Sequence, residues 1–250
     1  MILKENERLD YVNDSLSLIQ KVDGLTFGTD ALLLAGYIGS GYKNALELGG
    51  GTGIISMLLL SRNMAKRVVC LEIQQEFSDL ISRNAEYNNL TDRLECICTD
   101  VREYRCGGEY DLVFSNPPYM KTTSGRANTE SKKNIARHEV NGDISDFLSA
   151  AAKGLKFGGA VAVVYRCDRL ADLIYAMREN RLEPKRMTFI HADTTSLPSM
   201  VLVEARLGGK CGLKVTRPLF IYGDREHKQY TEDMNYIMEN GSFPADFYIR

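Results

Sequence analysis

The sequence predicts an α/β fold built on a mostly parallel sheet with helices on both faces. Three observations predict it. Helix-forming and β-branched runs alternate along most of the 250 residues. A glycine-rich turn joins a short apolar run to a longer one. No low-complexity tract and no repeat of roughly 20–50 residues points to another architecture. With 44% hydrophobic content the chain has enough apolar material for a substantial core. It reads as a single domain over 1–250, with a core at about 25–207 and a C-terminal extension, 208–250, packed on it.

Taken in order, Asn44–Leu48 is a short buried strand, Gly49-Gly50-Gly51-Thr52-Gly53 a turn, and Ile54–Arg62 is long enough for a helix. Arg67–Glu72 is a second strand, Gln74–Asn88 a helix, and Leu94–Cys98 a third strand ending just before Asp100. This βαβαβ rhythm implies parallel strands joined by right-handed crossovers. A fourth strand, Tyr110–Ser115, runs into Asn116-Pro117-Pro118-Tyr119, where consecutive prolines force the chain out of the sheet. The polar stretch from Met120 to Asp143 reads as a long functional loop. Beyond it the pattern predicts a helix over Ile144–Leu155, a strand over Ala160–Tyr165 and a helix over Asp168–Asn180. Strands follow near Arg186–His191 and Ser199–Leu207, and with no helix between them these two pair antiparallel. The tail holds a strand-like Leu219–Tyr222 and a helical stretch around Thr231–Met238.

Composition removes several classes of function. The longest apolar stretches are far below the roughly 20 residues a membrane span needs, so no membrane association is expected. The first residues lack the basic start and apolar run of a signal peptide, and the expectation is a cytoplasmic protein. Six cysteines show neither C-x-x-C spacing nor a nearby His pair, so reduced thiols and no metal are expected. Cys70, Cys96 and Cys98 fall in apolar strand-like runs, where a thiol acts as a small hydrophobe. A net charge of −2 argues against tight, nonspecific nucleic-acid binding. It leaves room for a local basic surface. The oligomeric state is open.

Gly49, Gly51 and Gly53 alternate where a strand turns into a helix, which permits positive φ and close approach of a ligand to the backbone. This favours an adenosine-containing cofactor, against an ordinary tight turn. The spacing G-x-G-x-G, preceded by Glu47, departs from the G-x-G-x-x-G of dinucleotide sites. An acid beside the turn repels a pyrophosphate but attracts the sulfonium and ammonium of S-adenosylmethionine. Glu72, ending the second strand, is placed for the ribose hydroxyls, and Asp100, beyond the third, for the adenine amino group. For any one of these acids, above all Asp100, a solvated turn residue is the competing reading.

Asn116-Pro117-Pro118-Tyr119 suits methylation of an exocyclic amino nitrogen, whose lone pair is delocalised into its ring. Two acceptors, the Asn116 side-chain oxygen and the Pro117 carbonyl, would restore that lone pair and stabilise the charge that develops. Consecutive prolines fix φ and donate no competing N–H. Tyr119 offers a ring on which a flipped base can stack. Alone, the motif could be a proline turn at a strand end; its place after the fourth strand, beside the cofactor crevice, favours chemistry.

Together these residues resemble the class I methyltransferases, and Asn116–Tyr119 resembles the motif of their amino-methylating branch. Phe27–Ala35, Leu46–Gly53, Asn116–Tyr119 and Ile135–Glu139 are similar to the bacterial tRNA adenine-N6 methyltransferases that modify A37 of valine tRNA. The resemblance implies a seven-stranded, Rossmann-like sheet with one antiparallel strand. It implies S-adenosylmethionine in the crevice, with Asn116 close enough to touch it, and a flipped adenine held by Asn116, Pro117 and Tyr119. It also implies that Thr29 and Asp30 lie near the methionine end of the cofactor. Lys121, Arg126, Lys132, Lys133 and Arg137, set against the acid Glu130, form a basic loop suited to an RNA backbone or simply to solvent. His138 could touch substrate or start a helix.

A protein-glutamine methyltransferase presents the same planar amide to the same motif, but such enzymes resemble chains with a helical domain ahead of the core, and only a short stretch precedes the glycine turn here. A DNA adenine methyltransferase is disfavoured because there is no room here for a target-recognition domain, while a guanine-N2 enzyme of ribosomal RNA stays open. A noncatalytic cofactor- or RNA-binding module is disfavoured by the intact Asn116 motif.

Overall fold

A computed structural model of the protein describes residues 3–22, 27–118 and 142–248. Strands β1 (Glu7–Asn13) and β2 (Leu16–Lys21) form a separate antiparallel hairpin. Then come α1 (Thr29–Tyr37), β3 (Tyr42–Leu48), α2 (Ile54–Ser61), β4 (Ala65–Glu72), α3 (Gln75–Tyr87), β5 (Leu94–Cys98) and β6 (Tyr110–Ser115). After the basic stretch follow α4 (Ile144–Gly154), β7 (Leu155–Arg166), α5 (Leu170–Glu179), β8 (Leu182–His191) and β9 (Pro198–Leu207). The tail adds β10 (Lys214–Val215), β11 (Leu219–Phe220) and α6 (Glu232–Asn240).

Seven strands run in the order β8-β9-β7-β6-β3-β4-β5, and the two-residue β10 and β11 add to the outer edge of β8. Only β9 runs antiparallel to its neighbours in this sheet. The chain winds from β3 outward through β4 to β5, then crosses back to place β6 on the other side of β3. The order therefore reverses at β3, and the crevice beyond the carboxyl ends of β3 and β6 is where ligands bind in open α/β sheets.

Alternating side chains split the core across the sheet. Ala45, Leu112 and Phe114 point to one face with Leu33, Leu34 and Leu58 of α1 and α2. Leu46, Leu48 and Val113 point to the other, under Phe147 and Leu148 of α4 and Leu173 and Met177 of α5. Helix α4 begins on a capping box in which Asp143 and Asp146 each accept the other's backbone N–H. The C-terminal segment returns to the first face: Met234, Ile237, Phe243 and Phe247 join the cluster of α1 and α2, and Arg186 lies between the rings of Tyr37 and Tyr248.

The strands and helices expected from the sequence are present, with shifted ends. β8 begins at Leu182 rather than near Arg186, because a register shift between 184 and 186 accommodates Pro184 in the pairing with β9. Cys98, read as a buried hydrophobe, is exposed, since it ends the edge strand β5; Cys70 is buried and Cys96 half-buried. The sequence pattern does not predict the N-terminal hairpin. It is held by Asn84, whose side chain accepts from Ile19 N at 2.7 Å and donates to Ile19 O at 3.0 Å, and by Asn88, which does the same for Ser17. One turn apart, on α3 and at its C-cap, the two amides substitute for a neighbouring strand. Asn84 is fully buried, so Asn84→Ala leaves two backbone groups unpaired and is expected to cost about 2–4 kcal/mol, read by urea unfolding.

Among the described residues no helix is long and apolar enough to cross a membrane, and no group of three or more His, Cys, Asp or Glu is arranged to hold a metal ion.

Candidate active site

The turn after β3 needs glycine for two different reasons. Gly49, Gly51 and Gly53 have φ of 74°, 55° and 78°, the left-handed region that a side chain disfavours. Gly50 has no such φ, but a Cβ there would lie 2.1 Å from Cys70 Sγ and 2.9 Å from Ile81 Cδ1. Gly49 N and Gly50 N both donate to Leu71 O, at 2.9 and 3.0 Å, which fixes the turn to the end of β4. Gly53 caps α2, and a Cβ there would lie 3.1 Å from both Ile81 Cγ1 and Met57 Cε.

Beside this turn lies a cavity of about 520 Å³. Its wall includes Glu47, Gly49, Gly51, Glu72, Asp100, Asn116, Pro117 and Pro118, so most of the singled-out residues that lie among the described ones meet in one place. Thr29 and Gly53 are not on this wall, whereas Gly28, Asp30 and Gly50 are. Tyr119, Lys121, Arg126, Glu130, Lys132, Lys133, Arg137 and His138 lie outside the described residues.

Each acid on the wall has its own setting. Glu72 accepts from Gly51 N through one oxygen at 2.8 Å and from Gln74 N through the other at 2.9 Å. A carboxylate does this without penalty because both oxygens are acceptors. It therefore ties the glycine turn to the loop after β4 while facing the cavity. Asp100 accepts from Arg102 N at 2.8 Å and from the Arg102 guanidinium at 2.5–3.0 Å. The guanidinium holds its carboxyl below the usual range.

Glu47 is only 1% exposed, accepts from Ser56 Oγ, and has Cys70 Sγ at 3.5 Å. Burial pushes its carboxyl up to about 8, with the Ser56 and Cys70 contacts opposing the shift. The folded value stands above the unfolded one. Between pH 4.5 and about 8 the unfolded chain therefore gives up a proton that the folded chain retains, and stability falls as pH rises through that window. Glu47→Gln removes this loss. The variant is expected to match the wild type near pH 4.5 and to exceed it by about 2–4 kcal/mol at pH 7.5, measured by urea unfolding without ligand.

Asn116 leaves the end of β6 half-buried and donates through Nδ2 to Asp30 Oδ2 at 2.8 Å. The preceding Ser115 donates to Leu48 O at 2.7 Å, joining the ends of the paired strands β6 and β3. Phe147 and Arg166 also line the cavity, from α4 and the end of β7. Neither was singled out in the sequence: Phe147 reads as an ordinary core residue of an amphipathic helix, and Arg166 as a strand-end charge.

A wall of positive-φ glycine backbone with the carboxyl groups of Asp30, Glu72 and Asp100 around it accepts a nucleoside that carries a cationic tail, and those acids match a pyrophosphate poorly. The residues present thus fit S-adenosylmethionine.

Comparison with known proteins points the same way. A family profile described as Methyltransferase small domain matches residues 22–172. Among curated proteins, the chain is 29% identical over 177 residues to a tRNA1(Val) (adenine(37)-N6)-methyltransferase of Phocaeicola vulgatus, covering 70% of this chain and 74% of the relative. The protein of the same name in Porphyromonas gingivalis is 29% identical over 72% of this chain and 73% of its own. Among solved structures, a predicted O-methyltransferase from Agrobacterium tumefaciens superposes with a TM-score of 0.69 at 22% identity, covering 86% of this chain and 98% of that one. M. jannaschii TYW2 in complex with AdoMet superposes with a TM-score of 0.58 at 14% identity, over 82% of this chain and 88% of that one. At such identities the structural likeness speaks to the fold alone.

Proposed function

The chain belongs to the methyltransferase small domain family, and from that premise we propose that it transfers a methyl group from S-adenosylmethionine to N6 of an adenine in tRNA, with A37 of valine tRNA as the acceptor. The observation that carries this reading is the meeting of two motifs on one cavity: the glycine turn after β3 and Asn116-Pro117-Pro118 after the adjacent β6. The relatives' shared name supports the acceptor.

In this reading the backbone of Gly49 and Gly51 approaches the cofactor, Glu72 accepts from its ribose hydroxyls, Asp100 meets its adenine, and Glu47 and Asn116 stand near its charged end. When bound, S-adenosylmethionine supplies an electrophilic methyl group attached to a sulfonium. Asn116 Oδ1 and the Pro117 carbonyl accept the two hydrogens of the target amino group, which draws its lone pair out of the ring. Pro117 and Pro118 hold that carbonyl in place. A new N–C bond forms as the C–S bond breaks, the electron pair of the latter going to sulfur. The methylated nitrogen then releases a proton to solvent, so no strong base is needed. Tyr119 stacks on the flipped base, worth roughly 1–3 kcal/mol, and Lys121, Arg126, Lys132, Lys133 and Arg137 contact the phosphate backbone. The chain acts as one domain, a reading supported by the shared core of the C-terminal segment with α1 and α2, and a tRNA acceptor implies work in the cytoplasm.

The acceptor class is tested by offering labelled S-adenosylmethionine with bacterial tRNA, ribosomal RNA and a protein fraction in parallel. Label in tRNA is the expected result. Label confined to ribosomal RNA or to protein glutamine would overturn the choice of acceptor and leave a methyltransferase.

A further inference from the structure

Asp30 and Asn116 are 86 residues apart in sequence, and their side chains meet on the cavity wall at 2.8 Å. We propose that Asp30 is a positioning residue that fixes the Asn116 amide in the one orientation from which it can activate the acceptor amino group. This rests on the proposed amino-methylating reaction and assigns to Asp30 a role distinct from contact with the cofactor.

The argument begins with the asymmetry of an amide. One end of an asparagine side chain donates and the other accepts, and the two are almost the same shape, so a neighbour must decide which way it points. An ionised carboxylate only accepts. Facing one, Asn116 presents Nδ2 to Asp30, and its Oδ1 is directed to the opposite side. A charged acceptor also draws electron density toward Oδ1 through the conjugated amide, making that oxygen a stronger acceptor. Both effects matter most when positive charge grows on the target nitrogen.

Asp30 is itself held. It is the second residue of α1, and its Oδ1 accepts from Ala31 N at 2.9 Å while Oδ2 receives Asn116. Gly28 gives independent support. Its φ of −108° is open to any residue, yet a Cβ there would lie 2.6 Å from Asp30 Oδ1. The glycine is explained by the room the carboxylate needs rather than by its backbone.

The test compares wild type, Asp30→Asn, Gly28→Ala, Asn116→Asp and the double variant Asp30→Asn/Asn116→Asp. Methyl transfer is followed in a single turnover at saturating cofactor, and S-adenosylmethionine affinity is measured separately by calorimetry without acceptor. Asp30→Asn is expected to lower the single-turnover rate at saturating cofactor roughly 10²-fold, the scale of losing one preorganised polar contact, over and above any weakening of cofactor binding that loss of its charge brings. Gly28→Ala keeps the charge and displaces the carboxylate, so it lowers the rate by a smaller factor at unchanged Kd. Asn116→Asp sets two carboxylates against each other, and the double variant, which restores one amide and one carboxylate, is expected to recover at least roughly tenfold over it. A loss in Asp30→Asn that appears wholly as weaker cofactor binding would overturn the proposal. So would a double variant no faster than Asn116→Asp. Should wild type label another amino-bearing acceptor instead of tRNA, the acceptor assignment fails while the same comparison on that acceptor still decides the role of Asp30.

Discussion

Asn116→Ala is expected to slow methyl transfer roughly 10²–10³-fold at saturating cofactor, with little change in the affinity for either substrate. The reason lies in when the interaction is made. In the ground state the acceptor amino group is planar and its hydrogens bond weakly to Asn116 Oδ1. As the nitrogen becomes pyramidal and gains charge, the same contact strengthens, so its removal raises the barrier more than it weakens binding. Alanine also deprives Asp30 of the Nδ2 donor at 2.8 Å, which makes the loss larger than that of one hydrogen bond. Single-turnover rates with calorimetric cofactor binding check this. An unchanged rate with a raised cofactor Kd would assign Asn116 to the cofactor rather than to the acceptor.

Glu72→Gln is expected to show the reverse signature, weakening S-adenosylmethionine roughly 10–100-fold and leaving the maximal rate nearly intact. Both oxygens of Glu72 accept backbone N–H groups, from Gly51 and Gln74. A glutamine has one accepting end, so its amide must confront one of those donors with another donor. Leaving a buried N–H unpaired costs about 1–3 kcal/mol, and Glu72 is 5% exposed. Part of that cost appears as lower stability and part as a displaced glycine turn. Thermal unfolding with and without cofactor separates the two: the variant melts lower alone, and added cofactor raises its melting temperature less than it raises that of the wild type.

The order of strands and helices from β3 to β9 was legible because parallel strands and their crossover helices write strong local patterns, and the two motifs fall at strand ends that the order makes adjacent. Less legible was anything that depends on partners distant in sequence. The strand β1 has half-exposed, mixed-polarity residues, and among the groups that anchor the hairpin are Asn84 on α3 and Asn88 at its C-cap, whose amides look like ordinary helix surface until Ile19 and Ser17 are seen beside them. Spacing does not distinguish Gly50 from its neighbours, because its constraint is the Cys70 side chain on β4 rather than its own dihedral. By its place in the sequence Glu47 is a charge awaiting a cation. Burial raises its carboxyl to about 8 against the opposing Ser56 contact, an effect of three-dimensional surroundings that spacing does not encode. The pairing of Asp30 with Asn116 belongs to the same class.

The most direct test of the central claim is the identity of the modified nucleoside. Valine tRNA transcripts carrying A37 or G37 are incubated with the purified protein and S-adenosylmethionine, digested, and resolved by mass spectrometry. N6-methyladenosine formed from the A37 transcript and absent from the G37 transcript is the predicted result. Methylation of equal extent in both, or a methylated guanine in place of N6-methyladenosine, would contradict it.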